Sequence, residues 1–151
     1  MIKMIIRKVT RNDSQEIFLW RNDSYSRSMF KNSNLIDKKT HDKWFESIVN
    51  NKDHHFYMGE INNSKVGVVR FDCNFKEKKS VVAINLNPRY RGKGLSSKLL
   101  SLSIKKFFIS HQFTLCAIIK KNNFKSKKIF SRCGFILVKT FEGYEYYFHD
   151  V

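Results

Sequence analysis

Proline occurs once in these 151 residues and glycine six times. Breakers this sparse leave no room for a Pro-rich or Gly-rich linker, and the length fits one domain, residues 1–151. The three cysteines (Cys73, Cys116, Cys133) are odd in number and lack metal-ligand spacing. That argues against a disulfide framework and a metal site, and it makes a reduced, cytoplasmic protein the expectation. No apolar run approaches the roughly 18 residues of a membrane span, and Met1 to Arg7 is too short and charged for a signal peptide. Both common phosphate fingerprints, Gly-x-x-x-x-Gly-Lys-Ser/Thr and Gly-x-Gly-x-x-Gly, are missing. Acidic residues are scarce as well: 13 against 29 Lys and Arg, a formal charge of +16.

That imbalance asks for an anionic partner. The lysines are spread in pairs, such as Lys38-Lys39, Lys78-Lys79 and Lys127-Lys128, which suits solvated faces better than a nucleic-acid surface. With 42% apolar and 15% aromatic residues, the chain has the means to build a real core.

The pattern along the chain predicts a strand over Ile2–Val9, then a helix to about Asn22, with Asp13 as N-cap and Glu16 closing a capping box. A second helix, capped by Asp37 or Thr40, carries Trp44, Phe45, Ile48 and Val49 on one face. Three strands follow: 56–61, 65–72 and 80–86, the first two joined by Asn62-Asn63-Ser64. A helix runs to about Ser110, a strand covers 114–119, a helix covers 123–133, and a hairpin turns at Glu142-Gly143. Gly134 reads as the left-handed cap of the last helix. The order β-α-α-β-β-β-α-β-α-β-β predicts an α+β fold, a mixed, mostly antiparallel central sheet with helices on both faces.

Arg89-Tyr90-Arg91-Gly92-Lys93-Gly94-Leu95-Ser96 sits where a strand hands over to a helix. Two glycines one residue apart let the backbone approach a ligand closely, and the free N–H groups of the new helix favour an anion. Arg89-x-x-Gly92-x-Gly94 resembles the acetyl-CoA loop of the GNAT acyltransferases. Asn123-x-x-Ser126-x-x-x-Phe130-x-x-x-Gly134-Phe135 resembles the second signature of that family, the helix flanking coenzyme A, and the element order is that of the GNAT fold. Trp20-Arg21-Asn22-Asp23, Arg27, Phe30, Ile36, His41, Trp44-Phe45 and Gly67-x-x-Arg70-Phe71-Asp72 give a narrower likeness. They are similar to small GNAT enzymes that acetylate nucleotide-linked amino sugars in pathways of the pseudaminic- and legionaminic-acid type. A related Trp-Arg-Asn stretch also occurs in acetyltransferases of ribosomal-protein N-termini.

The resemblance implies an N-acetyltransferase that uses acetyl-CoA, needs no metal and forms no covalent enzyme intermediate. It implies a cofactor site at Leu86, Asn87, Arg91, Gly92, Lys93, Gly94, Leu95, Ser96, Asn123 and Phe130. It places an oxyanion-stabilising splay of backbone around Asn85-Leu86-Asn87. The family's usual general acid is a Tyr where this chain has Phe130, so proton return to the thiolate needs another source. The fourth strand carries no carboxylate base. His41 is the candidate base on its titration range, its alternative a capping or packing role.

Arg70 alternates with Val66 and Val68, so a charge points where valines point, and it needs either a protein carboxylate (Asp23 or Asp72) or an anionic ligand. Arg21, Asn22 and Arg27 lie in the segment that lines the acceptor groove in GNAT folds, and their chemistry suits a phosphate. Trp20 and Trp44 are either stacking platforms or core. The expected partner is thus a small-molecule amine, probed against two alternatives: a peptide acetyltransferase, and a non-catalytic acyl-CoA- or RNA-binding module. The aromatic C-terminal strand (Tyr144, Tyr146, Tyr147, Phe148) can also pair with a second copy to give a homodimer.

Overall fold

A computed structural model describes residues 3–150; the start of the expected first strand at Ile2 lies outside them. The strands are β1 (Ile5–Lys8), β2 (His54–Ile61), β3 (Ser64–Asn74), β4 (Lys79–Leu86), β5 (Thr114–Lys120), β6 (Ile136–Phe141) and β7 (Tyr144–His149). The helices are α1 (Ser14–Asn22), α2 (Ser24–Met29), α3 (Lys38–Val49), α4 (Leu95–Ser110) and α5 (Phe124–Arg132). No helix among the described residues is long and apolar enough to cross a membrane.

The seven strands form one sheet in the order β1-β2-β3-β4-β5-β7-β6. Every pairing is antiparallel except β4 with β5. Tight turns set the hairpin registers. Asn62 and Asn63 take positive φ, as do Glu142 and Gly143, the geometry that matches strand twist in two-residue loops.

Two cores lie on opposite faces of the sheet. α4 and α5 pack Leu99, Leu100, Ile104, Phe107 and Phe130 against Val69, Phe71, Val82 and Leu115. On the other face α1 and α3 pack Ile17, Trp20, Phe45, Ile48 and Val49 against Phe56, Met58 and Val68. Gly59 and Gly67 face each other across β2 and β3, where an added Cβ at Gly67 would lie 2.9 Å from the Asn85 carbonyl oxygen.

Three local expectations are corrected. Asp13 does not cap α1 with its carboxylate: it accepts from the Thr10 amide at 2.9 Å and pairs with Arg7 and Lys65, while Glu16 pairs with Lys65. Those cations hold the buried Asp13 carboxyl well below the ordinary carboxylate range, overcoming the desolvation that would raise it. Val66 does not share the face of Arg70, because a register shift opposite Gly59/Glu60 makes Val66 the extra residue of a bulge and turns it into the α4 core. Val68 does share that face. Between the first two expected helices stands an additional short one, α2, capped by the Asp23 carboxylate on the Ser26 amide at 3.0 Å.

Candidate active site

β4 and β5 pair over only three residues: Lys79 with Thr114, Ser80 with Leu115 and Val81 with Cys116. Beyond that point the strands part, and the edge of β4 from Val82 onward loses its neighbour. A cavity of about 640 Å³ opens in the gap. Its walls are the free half of β4 (Val82 to Leu86), Ala117 to Ile119 of β5, the glycine loop, the first turn of α4, α5, and α2 across the mouth. The parallel crossover from β4 through α4 to β5 leaves α4 with its N-terminus at this gap, where its first amides have no intrahelical partner.

The glycine loop is built for close approach. Gly92 and Gly94 have φ of +74° and +70°, and a Cβ at either would meet nothing within 4 Å. The cost of a side chain there is conformational on the protein's side, and the space belongs to a ligand. Of the residues expected to hold coenzyme A, the cavity brings together Leu86, Arg91, Gly92, Gly94, Ser96, Asn123 and Phe130. Three fall elsewhere. Asn87 caps the turn before the loop, accepting from the Arg89 amide and donating to the Lys65 carbonyl. Lys93 sits over the Tyr90 ring, and Leu95 packs on the α4 core. Asn123 caps α5 through the Ser126 amide at 3.2 Å, and Phe130 meets Phe135 edge-on at 5.0 Å.

On the acceptor side Asn85 lines the cavity. Its Oδ1 accepts from the Ser26 hydroxyl at 3.2 Å, and its buried Nδ2 has no partner among the described residues. Arg70 also lines the cavity and gives its Nε to both oxygens of Asp72, so the protein supplies the carboxylate that its strand position demands. His54 donates to the same Asp72 at 2.6 Å.

His41 does not reach the cavity. It is fully buried, with Nε2 3.1 Å from the Ser14 carbonyl and Nδ1 3.3 Å from Arg21 Nη1. Burial and the Arg21 charge hold it below its usual pKa, so it is neutral and both its nitrogens are occupied. It has no lone pair to offer an amine. Asn22 and Arg27 are likewise turned to the chain itself. Asn22 clamps Ile36 through both its amide and carbonyl, and Arg27 bonds the Asn22 and Ser33 carbonyls. Arg21 and Trp44 do not line the cavity either: Trp44 is half-buried with the Arg21 guanidinium over its ring, and Trp20 belongs to the core.

Sequence reasoning missed the contribution of α2. Tyr25, Ser26 and Met29, with Phe30 and Lys31 just beyond, line the cavity, and so do Lys125, Lys128 and Arg132 of α5. α2 has no apolar periodicity to announce it. Its signal was the Asp23-x-x-Ser26 cap alone. Burial pushes the thiols of Cys73, Cys116 and Cys133 up, away from the thiolate form.

Known proteins match this chain at the level of family and fold. A family model described as an acetyltransferase (GNAT) domain matches residues 3–136. A spermidine N(1)-acetyltransferase of Escherichia coli K12 is 25% identical over 126 residues, covering 82% of this chain; the chain spans 62% of that relative's length. The structure of a Vibrio cholerae spermidine N-acetyltransferase in complex with CoA and spermine superposes with a TM-score of 0.83 at 15% identity, covering 96% of this chain and 92% of the other. A ribosomal alpha-N-protein acetyltransferase in complex with coenzyme A gives 0.84 at 13% identity, covering 100% of this chain and 98% of the other. Likeness at these identities shows the shared fold and leaves the acceptor to be argued from the site.

Proposed function

The chain belongs to the GNAT acetyltransferase family, and on that premise we propose that it transfers an acetyl group from acetyl-CoA to a primary amine of a small anionic acceptor. A nucleotide-linked amino sugar, of the kind used in bacterial surface glycans, has the matching chemistry. One observation carries the choice of acceptor. Among the described residues six cationic side chains line the cavity (Lys31, Arg70, Arg91, Lys125, Lys128, Arg132) and no carboxylate does; Arg70 and Arg91 are paired with Asp72 and Asp23, and the other four lack a carboxylate in the lining. At an effective dielectric near 20, two like charges 4 Å apart repel by about 4 kcal/mol. A polyamine would meet a lining of net positive charge, whereas a phosphate-bearing acceptor is drawn in.

The residues divide the work by position. The glycine loop and the first amides of α4 receive the pyrophosphate, and the basic side chains of α5 add charge beside it. Acetyl-CoA supplies the activated thioester. The unpaired edge of β4 and the free Nδ2 of Asn85 offer donors to the carbonyl oxygen as charge develops on it. The amine attacks directly, by proximity and orientation. Among the described residues neither a carboxylate nor a histidine lines the cavity, so the amine loses its proton to water. Phe130 cannot return a proton to the thiolate; Tyr25, a phenol along the same cavity, is the candidate donor in its place.

A thiol-release assay with acetyl-CoA tests this against UDP- and CMP-linked amino sugars, N-terminal peptides and polyamines. Turnover with an amino-sugar nucleotide is the expected result. Turnover confined to spermidine or to peptides overturns the acceptor assignment and keeps the reaction. Coenzyme A binding without turnover of any amine overturns both.

A further inference from the structure

Arg21 is a half-buried cation whose charge nothing in the fold cancels. Among the described residues it forms no ion pair, and its side-chain hydrogen bond goes to His41 Nδ1 at 3.3 Å. Its guanidinium carbon lies 3.8 Å from the centroid of the Trp44 ring. The guanidinium carbon of Arg70 lies 5.3 Å from the same centroid, so the two are within about 9 Å of each other. Arg70 uses its Nε on Asp72, and among the described residues its two terminal amino groups have no acceptor. Asp72 is shared with His54, so the one carboxylate on Arg70 also serves an imidazole. Desolvation and the Arg70 charge pull the Arg21 pKa down to about 10. Two like charges around one indole are costly to hold together unless an anion joins them.

The way Arg21 is held points the same way. The Ser14 carbonyl can only accept, so the proton of His41 rests on Nε2 and Nδ1 presents a lone pair to Arg21. A neutral ring therefore aims the guanidinium. A carboxylate in that place would have aimed it equally well and neutralised it. The arrangement fixes Arg21 in space and keeps its charge available.

We propose that Arg21 and Arg70, set against Trp44, form the seat for a phosphoryl anion of the acceptor, and that His41 is the positioning residue that aims Arg21. This rests on the anionic-acceptor reading above and names the side chains that carry it. Planar guanidiniums match phosphate oxygens in pairs of parallel hydrogen bonds, and the Trp44 ring lies against both.

The experiment is a calorimetric titration of inorganic pyrophosphate into protein saturated with coenzyme A, so that the glycine loop is already occupied. Wild-type protein is expected to bind. Arg21→Met and Arg70→Met are each expected to weaken pyrophosphate at least tenfold and leave coenzyme A affinity within twofold. His41→Leu is expected to weaken it about tenfold, and His41→Asn, which restores an acceptor near the Nδ1 position, to recover most of the loss. Absence of binding to the wild type, or equal binding by wild type and both Met variants, overturns the seat. Equal binding by His41→Leu and wild type overturns the positioning role. Failure of the substrate reading looks different: pyrophosphate binds and depends on both arginines, yet no amino-sugar nucleotide is acetylated.

Discussion

Arg91 of the glycine loop is ion-paired with Asp23, the residue that caps α2, 68 positions earlier in the chain. The same guanidinium donates to the Ser26 hydroxyl at 2.9 Å, which in turn donates to Asn85. Arg91 also stands over the Tyr25 ring at 4.8 Å. The donor loop, the helix across the mouth and the polar side chain of β4 are thus one connected network. An arginine expected to serve the pyrophosphate spends its charge on holding the acceptor wall.

The network makes Asp23→Ala informative. The variant loses the α2 cap and the ion pair together, and the partly exposed pair adds little to the cap's roughly 1 kcal/mol. Urea denaturation should show a loss of about that size. Kinetics should show a rise in acceptor KM of tenfold or more with acetyl-CoA affinity unchanged. An equal rise in both constants would mean that α2 holds the donor as much as the acceptor.

Gly67 and Gly92 should respond in opposite ways. A Cβ at Gly67 would lie 2.9 Å from the Asn85 carbonyl oxygen and 3.1 Å from Leu86 Cα, both backbone atoms of β4. Gly67→Ala therefore forces the two strands apart where the site begins, at a cost of about 1–3 kcal/mol, and it should weaken coenzyme A binding through the displaced β4. Gly92→Ala meets no neighbour and pays only for its φ of +74°, about 1 kcal/mol. Gly92→Asp adds a negative charge where the pyrophosphate is expected and should abolish stabilisation of the fold by acetyl-CoA. Melting curves with and without acetyl-CoA separate the three. Full protection of Gly92→Asp would remove the loop from the donor site.

The sequence of elements along the chain and the long helices were legible because alternation, apolar stripes and caps are local signals. Asp37 does cap α3 on the Thr40 amide at 2.7 Å, and Gly134 does end α5 with φ +94°. What escaped depends on distant partners. α2 is held by Asp23 and Arg91 across 68 positions, and no window of sequence contains both. The Val66 bulge arises from a register shift in the paired strand. In the site, a glycine pair and a lone arginine among valines are conspicuous at the level of residue type. Asn22 and Arg27 carry equally suggestive types and spend their hydrogen bonds on nearby carbonyls. Residue type announces polarity, and only the fold decides who receives it.

Acid should destabilise this protein before its carboxylates titrate. His41 and His55 are both held below their ordinary value of 6.5, in each case chiefly by burial. Arg21 and Lys38 push His41 in the same direction, while the Ser14 backbone and Asp42 oppose them. A depressed folded-state pKa means that the unfolded chain takes up protons first, so stability is complete above about 6.5 and falls as pH drops below it. Asp13, held far below its ordinary 3.8, contributes only at still lower pH. Urea midpoints should fall between pH 6.5 and 5, and His41→Leu should flatten part of that slope. A midpoint constant over that interval would show that neither imidazole resists protonation.

Asn85 is the residue whose unused hydrogen bond most needs a partner. Its Oδ1 is tied to Ser26, and its buried Nδ2 has no partner among the described residues and stands at the cavity wall, beyond the last residue of β4 that pairs with β5. A buried donor left empty costs about 1–3 kcal/mol, an expense that makes sense if a ligand oxygen completes it. If that oxygen is the one that gains charge during attack, the bond strengthens as the reaction proceeds and belongs to kcat. Asn85→Ala should then lower kcat by about 10²-fold, the range seen when a single oxyanion donor is removed, with acetyl-CoA affinity within twofold. Removing an unsatisfied buried amide should leave the melting temperature unchanged or slightly raised. A variant that melts earlier and turns over normally would make Asn85 a strut for Ser26 and assign carbonyl polarisation to the β4 backbone alone.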